Sequence, residues 1–234
     1  MRVSVLMLLG LGLIAEAFGQ LQEMPVPFVA GHPFSADEVT PRKLSPNLTI
    51  AVPETTRVYR DSAGRIRIDT AAPGSPGRAP LLMIIDPIAG VVYFFDTEKK
   101  TARRSASLVP GQAVPTTEDP WQFPTGEGVM PAGFAKPTKK TEFLEMQLIG
   151  GFMAEGRRIT MVFTAATVGS VSRGAGESVE ENWYSQELQM MVLKQMHTTS
   201  LGDSTTRLEN IDRSEPDPSL FQVPSDYTIV DSTH

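Results

Sequence analysis

Apolar and polar positions along most of the chain form short runs separated by turns, the pattern of β-hairpins. The clearest hairpin has the sequence LLMIID-PIAG-VVYFFD. Its continuous apolar arms predict strands covered on both faces. A second pair of alternating runs, TRVYR and RIRID, flanks the turn DSAG. The stretch SADEVTPRKLS is predicted as a strand, because Pro41 would interrupt a helix. A short helix is the alternative, because Ser35 and Glu38 fit a capping box.

The C-terminal part of the sequence repeats this pattern. In TEFLEMQLIGG, three apolar residues alternate with polar ones and predict a strand with one apolar face, ending at a turn or bulge at Gly150 and Gly151. The stretch EENWYSQELQMMVLKQMHTT predicts two strands around a turn at residues 185–187. The sequence DPSLFQVPSDY predicts a short helical turn and an apolar tail on the sheet.

These patterns together define the predicted fold class. We count roughly nine to eleven short strands and no long amphipathic helix. The prediction is an all-β or β-dominated chain with few short helices. Its antiparallel sheet would curl into a barrel or half-barrel to protect its edges.

Residues 108–140 interrupt the strand pattern, because proline and glycine dominate and no period survives. An insertion of this length is either disordered or functional. In the functional interpretation, Trp121, Phe123 and Phe134 would form a lid over a groove.

The first nineteen residues have the pattern of a cleavable export signal. Arg2 precedes an apolar run over residues 3–15 that is too short to span a bilayer comfortably. Cleavage is predicted between Gly19 and Gln20, and an uncleaved anchor or a buried helix is the alternative. No cysteine follows the apolar run. We therefore expect a periplasmic or secreted protein that is soluble after cleavage and is not a lipoprotein.

The predicted mature chain has about 215 residues, enough for one large β domain or two small ones. We expect a flexible lead-in over residues 20–34 and a single antiparallel domain over residues 35–230. The domain would contain the insertion at 108–140, and a short tail would follow over residues 231–234.

Composition excludes several classes of function. The formal net charge of −6 argues against nucleic acid or an anionic membrane as the main partner. The absence of cysteine removes disulfides, thiolate catalysis and cysteine metal sites. No cofactor and no metal site is predicted.

Catalytic motifs are also missing from the sequence. There is no G-x-S-x-G elbow, Walker loop or H-E-x-x-H pair. His197 is interpreted as a surface or sheet residue. Glu180 and Glu181 would point to opposite faces of a strand. Asp86 and Asp96 are interpreted as turn-opening residues. No catalytic residue is predicted, and the chain is interpreted as non-enzymatic.

The last third of the chain resembles the C-terminal half of exported bacterial LolA-like proteins, the superfamily of outer-membrane lipoprotein carriers and sorting proteins. The resemblance lies in WYSQELQ, a GD turn, RLENI and the closing segment DPSLFQVPSDY. It implies a strongly curved antiparallel sheet with an apolar concave face, which in the best-known members shelters acyl chains. The chain would belong to an uncharacterised subfamily, and its long insertion departs from the carrier pattern.

Apolar side chains of the predicted strands are the candidate ligand-binding residues. They are either plain core or the wall of a ligand groove. The candidates are Leu144, Met146, Leu148, Met161, Phe163, Trp183, Met190 and Met191.

Two functions from different classes follow from this sequence. The first is an envelope protein that binds a lipid or an acylated protein without catalysis, on a concave sheet face. The second is a structural or protein-interaction module with a filled core, whose groove or sheet edge takes a protein segment from an envelope partner by strand addition.

Overall fold

The computed structural model describes six stretches of the chain. They are residues 28–40, 55–70, 81–106, 135–168, 171–199 and 202–232. The predicted export signal and the aromatic residues of the insertion lie outside these stretches.

The described residues form fourteen strands and one 3₁₀ turn, Pro218–Phe221. In chain order the strands are β1 Phe34–Val39, β2 Thr55–Arg60, β3 Ile66–Thr70, β4 Leu81–Asp86, β5 Val91–Asp96, β6 Thr101–Ser105, β7 Thr138–Ile149, β8 Phe152–Phe163, β9 Ala166–Val168, β10 Val171–Arg173, β11 Gly176–Ser185, β12 Met190–Thr198, β13 Gly202–Asp212 and β14 Thr228–Asp231.

Twelve of these strands form one open sheet in the order β14-β6-β5-β4-β3-β2-β1-β13-β12-β11-β8-β7. The β6–β14 pair is parallel, and the other pairs whose register is defined are antiparallel. Strands β9 and β10 form a separate two-stranded sheet. The predicted fold class, all-β with one large antiparallel sheet and little helix, is confirmed.

The predicted hairpins are present where local sequence signals were strongest. The β4–β5 turn begins at Asp86, whose Oδ1 accepts hydrogen bonds from the N–H groups of Ile88 and Ala89. Asp96 accepts one from the N–H of Lys99 in the same way. Both aspartates therefore have the predicted turn-opening role. Strand β1 covers the first five residues of the SADEVTPRKLS stretch, which was favoured as a strand.

Three details of the predicted fold are wrong. The described strands outnumber the predicted nine to eleven, because β9, β10 and β14 are too short to show a period. The sequence places the insertion at residues 108–140, but β7 begins at Thr138. The sequence GSVSRGAGES, residues 169–178, predicts a flexible turn, but its residues 171–173 form β10.

The chain packs into two compact units. Unit 1 contains β1 to β6, β14 and the end of β13 from Leu208. Unit 2 contains β7 to β12 and the start of β13 up to Arg207.

Unit 1 has apolar side chains on both faces of β4. Met83 and Ile85 pack with Ile66, Ile68 and Val92 on one face. On the other face Ile84 packs with Phe95 and Ala102, and the half-buried Val223 and Tyr227 lie against them. The prediction that continuous apolar arms are covered on both faces is therefore confirmed for β4.

The C-terminal segment of the chain lies on this second face. Asp217 caps the 3₁₀ turn by accepting a hydrogen bond from the N–H of Ser219 at 2.8 Å. The Tyr227 ring meets Phe95 edge-on at a centroid distance of 5.4 Å. Strand β14 then pairs with β6. The predicted helical turn and apolar tail on the sheet are confirmed.

Acid should loosen this segment. The N–H of Ser219 lowers the pKa of Asp217, and a hydrogen bond from Arg104 lowers the pKa of Asp231. A carboxyl group whose pKa is lowered by folding stabilises the fold above its unfolded pKa, about 4. That contribution disappears as the pH falls through the folded pKa. We expect faster hydrogen exchange at the Thr228 amide at about pH 3 than at about pH 6, after correction for intrinsic rates. Asp231→Asn should flatten this pH dependence, and an unchanged dependence in that variant would contradict the assignment.

Candidate functional site

The β7–β8 hairpin differs from the rest of the sheet in its exposure. Strand β7 ends the strand order, and β8 is its only neighbour in the part of the chain that the structure describes. It has twelve residues, and none of them is buried. Such a strand presents one edge of backbone N–H and C=O groups that no described strand pairs.

Five large apolar side chains of this hairpin are exposed, and four of them are at least half exposed. Phe143 is 77% exposed, Leu148 70%, Met146 55% and Met153 50%. We call these four residues the hairpin patch. Isolated exposed apolar residues need no explanation, but several on one hairpin indicate a surface for interaction.

The strand register shows how the hairpin patch is built. Phe143 is paired with Arg157, and Leu148 with Met153. The two β8 partners are an even number of residues apart, so Phe143 and Leu148 share one face of the hairpin. Met146 lies between them, where the register shifts and β7 carries an extra residue. Because of this β-bulge, Phe143 and Leu148 lie on the same face of the hairpin although they are an odd number of residues apart in β7.

The same bulge divides the predicted apolar face of β7. Leu144 is paired with Gly156, on the opposite face from Leu148. Regular alternation from Leu144 through Met146 to Leu148 would have kept all three on one side, but the inserted residue reverses the direction of the side chains that follow.

The remaining candidate residues are also divided between two faces. Trp183 is paired with Gly156 and therefore lies beside Leu144. Met161 is paired with Ser178, an odd number of residues from Trp183, and so faces the other way. Phe163 shares the face of Met161 because the two residues alternate along β8.

Met190 and Met191 occupy the start of β12 and are both buried. They are successive residues, paired with Ser185 and Tyr184 respectively, and point to opposite faces. The eight candidates are therefore not brought together on one surface. Their role in ligand binding stays a prediction, as does the lid of Trp121, Phe123 and Phe134.

Trp183 itself packs on the sheet. It is 3% exposed, and its ring lies over the backbone of Gly156. A Cβ atom at position 156 would be 2.6 Å from Cζ3 of Trp183. An aromatic ring that covers a glycine of the neighbouring strand restores the contact that the missing side chain would have made.

Charge is distributed unevenly along β7. Lys139 and Lys140 lie near the start of the strand, just after Lys136, and the exposed apolar residues Phe143, Met146 and Leu148 follow them. The ammonium of Lys140 is 2.9 Å from a carboxylate oxygen of Glu142. The hydrogen bond from Lys140 lowers the pKa of Glu142. The edge is thus basic at one end and apolar at the other.

Sequence reasoning did not identify β7 as an edge, although a signal was present. Lysines are enriched on natural edge strands because charge discourages unwanted pairing. Lys136, Lys139 and Lys140 immediately precede the apolar half of the strand. The exposed Phe143 and Met153 were also missed, because exposure depends on which strands cover the hairpin.

The acid–base residues that the sequence analysis considered are paired with different neighbours. Glu180 accepts a hydrogen bond from Asn182 at 2.7 Å, and Glu181 lies 2.6 Å from Arg158. The two carboxylates therefore lie on opposite faces of β11, as predicted. His197 is exposed and pairs with Asp203. Within the described stretches, no group of three or more His, Cys, Asp or Glu residues is placed to hold a metal ion.

Comparison with known proteins gives similarity at the level of structure only. No protein-family model matches the chain, and no curated protein matches it. The chain is similar to the crystal structure of MucB, with 11% identity and a TM-score of 0.43 over 92% of this chain and 64% of that one. It is also similar to a LolA superfamily protein from Nitrosomonas europaea, with 7% identity and a TM-score of 0.30 over 89% of this chain and 96% of that one.

The chain thus spans less than two thirds of the length of MucB. Among the described residues, no helix has the length and apolar character needed to cross a membrane.

Proposed function

We propose that this chain is a non-catalytic protein-interaction module of the cell envelope that takes a strand of another polypeptide on the edge of β7. The observation that carries the proposal is the hairpin patch. Phe143, Met146 and Leu148 are large, apolar and more than half exposed on a strand at the end of the sheet. The envelope location rests on the export-signal pattern of residues 1–19.

The physical argument starts from the backbone. An edge strand can extend its sheet by hydrogen bonding to another strand, and alternate side chains then supply specificity. Natural proteins usually protect such edges with short strands, bulges or charges. Strand β7 is long and has its bulge after Leu144, so the segment from Thr138 to Leu144 remains regular. Lys139 and Lys140 in this segment discourage pairing with strands that do not match their charge.

The other predicted function, a carrier for an apolar or acylated ligand, requires apolar side chains that face accessible space. In unit 1 the cluster around Ile66 and Met83 is almost completely buried. In unit 2 Trp183 packs directly on Gly156. These observations favour the interaction module. Mass spectrometry of an organic extract of the purified protein tests the carrier, because near-equimolar lipid would support it instead.

The interaction module is tested by replacing Phe143 with a photoreactive benzoylphenylalanine in a bacterial host that exports the chain. Since the ring is exposed, we expect it to cross-link a discrete polypeptide. The matched control carries the same group at Ile88, which is 56% exposed in the β4–β5 turn of unit 1. Adducts that are absent at 143, or identical at 143 and 88, would contradict the proposal.

Affinity for the captured polypeptide should depend on the patch. We expect Phe143→Ala to weaken binding by about 30-fold or more, the effect of losing an aromatic anchor. Ile88→Ala should leave the affinity unchanged. Equal affinities of the two variants in titration calorimetry would show that the patch does not form the binding surface.

A further inference from the structure

We propose that the strand added to β7 is β7 of a second copy of this chain, antiparallel to the first and related to it by a twofold axis at Thr141. This inference rests on the proposed function, since it specifies which polypeptide the edge takes. A twofold axis perpendicular to the sheet pairs the same surface of both copies, as the commonest homodimers do.

Charge complementarity selects this register. With Thr141 opposite itself, Lys140 of each copy lies directly opposite Glu142 of the other, so two opposite-charge pairs form. Directly opposite residues of an antiparallel pair share a face, and opposite charges there are stabilising. Within one chain the ammonium of Lys140 lies 2.9 Å from a carboxylate oxygen of Glu142, so the two side chains lie on the same face of β7.

The neighbouring registers are disfavoured by the same residues. If the axis moved by one residue toward the N-terminus, Lys140 would lie opposite itself. If it moved by one residue toward the C-terminus, Glu142 would lie opposite itself. Like charges directly opposite each other are destabilising. Of the three axis positions 140, 141 and 142, only Thr141 places opposite charges opposite each other.

The other face of the paired strands is also complementary. Lys139 of one copy would lie opposite Phe143 of the other, with its aliphatic stem along the exposed ring and its ammonium near the ring face. Phe143 is the most exposed of the large apolar residues of the described chain. Pairing would therefore remove the largest single apolar exposure of the hairpin from water.

The same two features end the proposed ladder of hydrogen bonds at each of its ends. Pro137 has no N–H group and precedes β7. In this register Pro137 of one copy lies opposite Glu145 of the other, within the β-bulge that follows Leu144. Two features that end strand pairing therefore coincide, which limits the ladder to the regular segment of β7.

The test uses the absence of cysteine in the natural sequence. In the purified protein, Thr141→Cys places one thiol on the axis, where paired Cα atoms are about 4.5–5.5 Å apart. That separation permits a disulfide. We expect this variant to form a covalent dimer on mild oxidation. In the control Lys139→Cys, the two thiols are four residues out of register, about 14 Å along the strand, and should cross-link only at the collisional background.

A charge-swap series measures the same interface without cysteine. Sedimentation equilibrium should show a dimer of the natural chain. Lys140→Glu or Glu142→Lys alone should raise the dimer dissociation constant about tenfold or more, because two like-charge pairs replace two favourable ones. The double variant should restore dimerisation, which a general loss of folding would not do.

A monomeric natural chain, equal cross-linking of the two cysteine variants, or no rescue by the double charge swap would overturn the inference. The proposed function would survive these results if benzoylphenylalanine at position 143 still captured a different polypeptide. Loss of that capture as well would remove both.

Discussion

A single methyl group added at position 156 should destabilise the protein by about 3 kcal/mol, near the upper end of the cost of overpacking. A Cβ atom there would lie 2.6 and 2.7 Å from Cζ3 and Cη2 of Trp183, and 2.8 Å from Cβ of Leu144. Contacts this short require one partner to move. The indole is rigid and buried, and the Cβ of Leu144 is attached directly to the backbone of β7, so neither can move at low cost.

Urea unfolding of Gly156→Ala measures this effect. The matched control is Gly176→Ala in β11, where a Cβ atom would be 3.5 Å from the nearest atom, a side-chain carbon of Thr199. We expect the control to be unchanged or slightly more stable, because alanine restricts the unfolded chain more than glycine does. Adding Trp183→Leu to Gly156→Ala should cost less than the sum of the single changes. Equal midpoints for the two alanine variants would refute the close packing.

This packing could not be predicted from the sequence, although the strands that form it were. Alternation and turn residues are local signals, and they predicted two strands where β11 and β12 lie, although the turn between them falls at residues 186–189 and not at 185–187. The contact between Trp183 and Gly156 depends on the register of two strands that are not connected by a tight hairpin. No local pattern specifies that register.

The division of the predicted apolar face has a similar cause. Leu144, Met146 and Leu148 satisfy a strict alternation in the sequence, but alternation assumes that every residue of β7 is paired. The bulge adds one residue opposite β8 and places Leu148 on the face away from Leu144. Whether a strand contains a bulge depends on its partner, which a single strand's sequence does not reveal.

The edge position of β7 was predictable only in part. Its lysines are a compositional sign of an edge, whereas the exposure of Phe143 and Leu148 depends on the absence of another described strand beside β7. Strand β14 had no comparable signal. It has four exposed residues and pairs with β6, more than a hundred residues earlier in the chain.

Removing residues 214–234 should abolish cooperative folding of unit 1. Phe221 is buried, with the guanidinium of Arg65 5.3 Å from its ring centre. Tyr227 covers Phe95, and β14 pairs with the otherwise outermost strand β6. Losing all these contacts should lower the free energy of unfolding by about 5 kcal/mol or more, which is comparable to the whole stability of a typical domain.

Graded variants keep this prediction testable even if the truncated chain aggregates. In thermal unfolding, Phe221→Ala should cost about 3 kcal/mol, the usual effect of removing a buried phenyl ring. Gln222→Ala, the exposed neighbour, should change stability by less than about 0.5 kcal/mol.

If the truncated chain stays soluble, a synthetic peptide of residues 214–232 should bind it and restore the cooperative transition. If the truncated chain unfolded as cooperatively as the intact one, or Phe221→Ala were as stable as Gln222→Ala, the C-terminal segment would not be part of the core of unit 1. The segment is expected to matter this much because it covers the apolar face that Ile84, Phe95 and Ala102 form on the sheet.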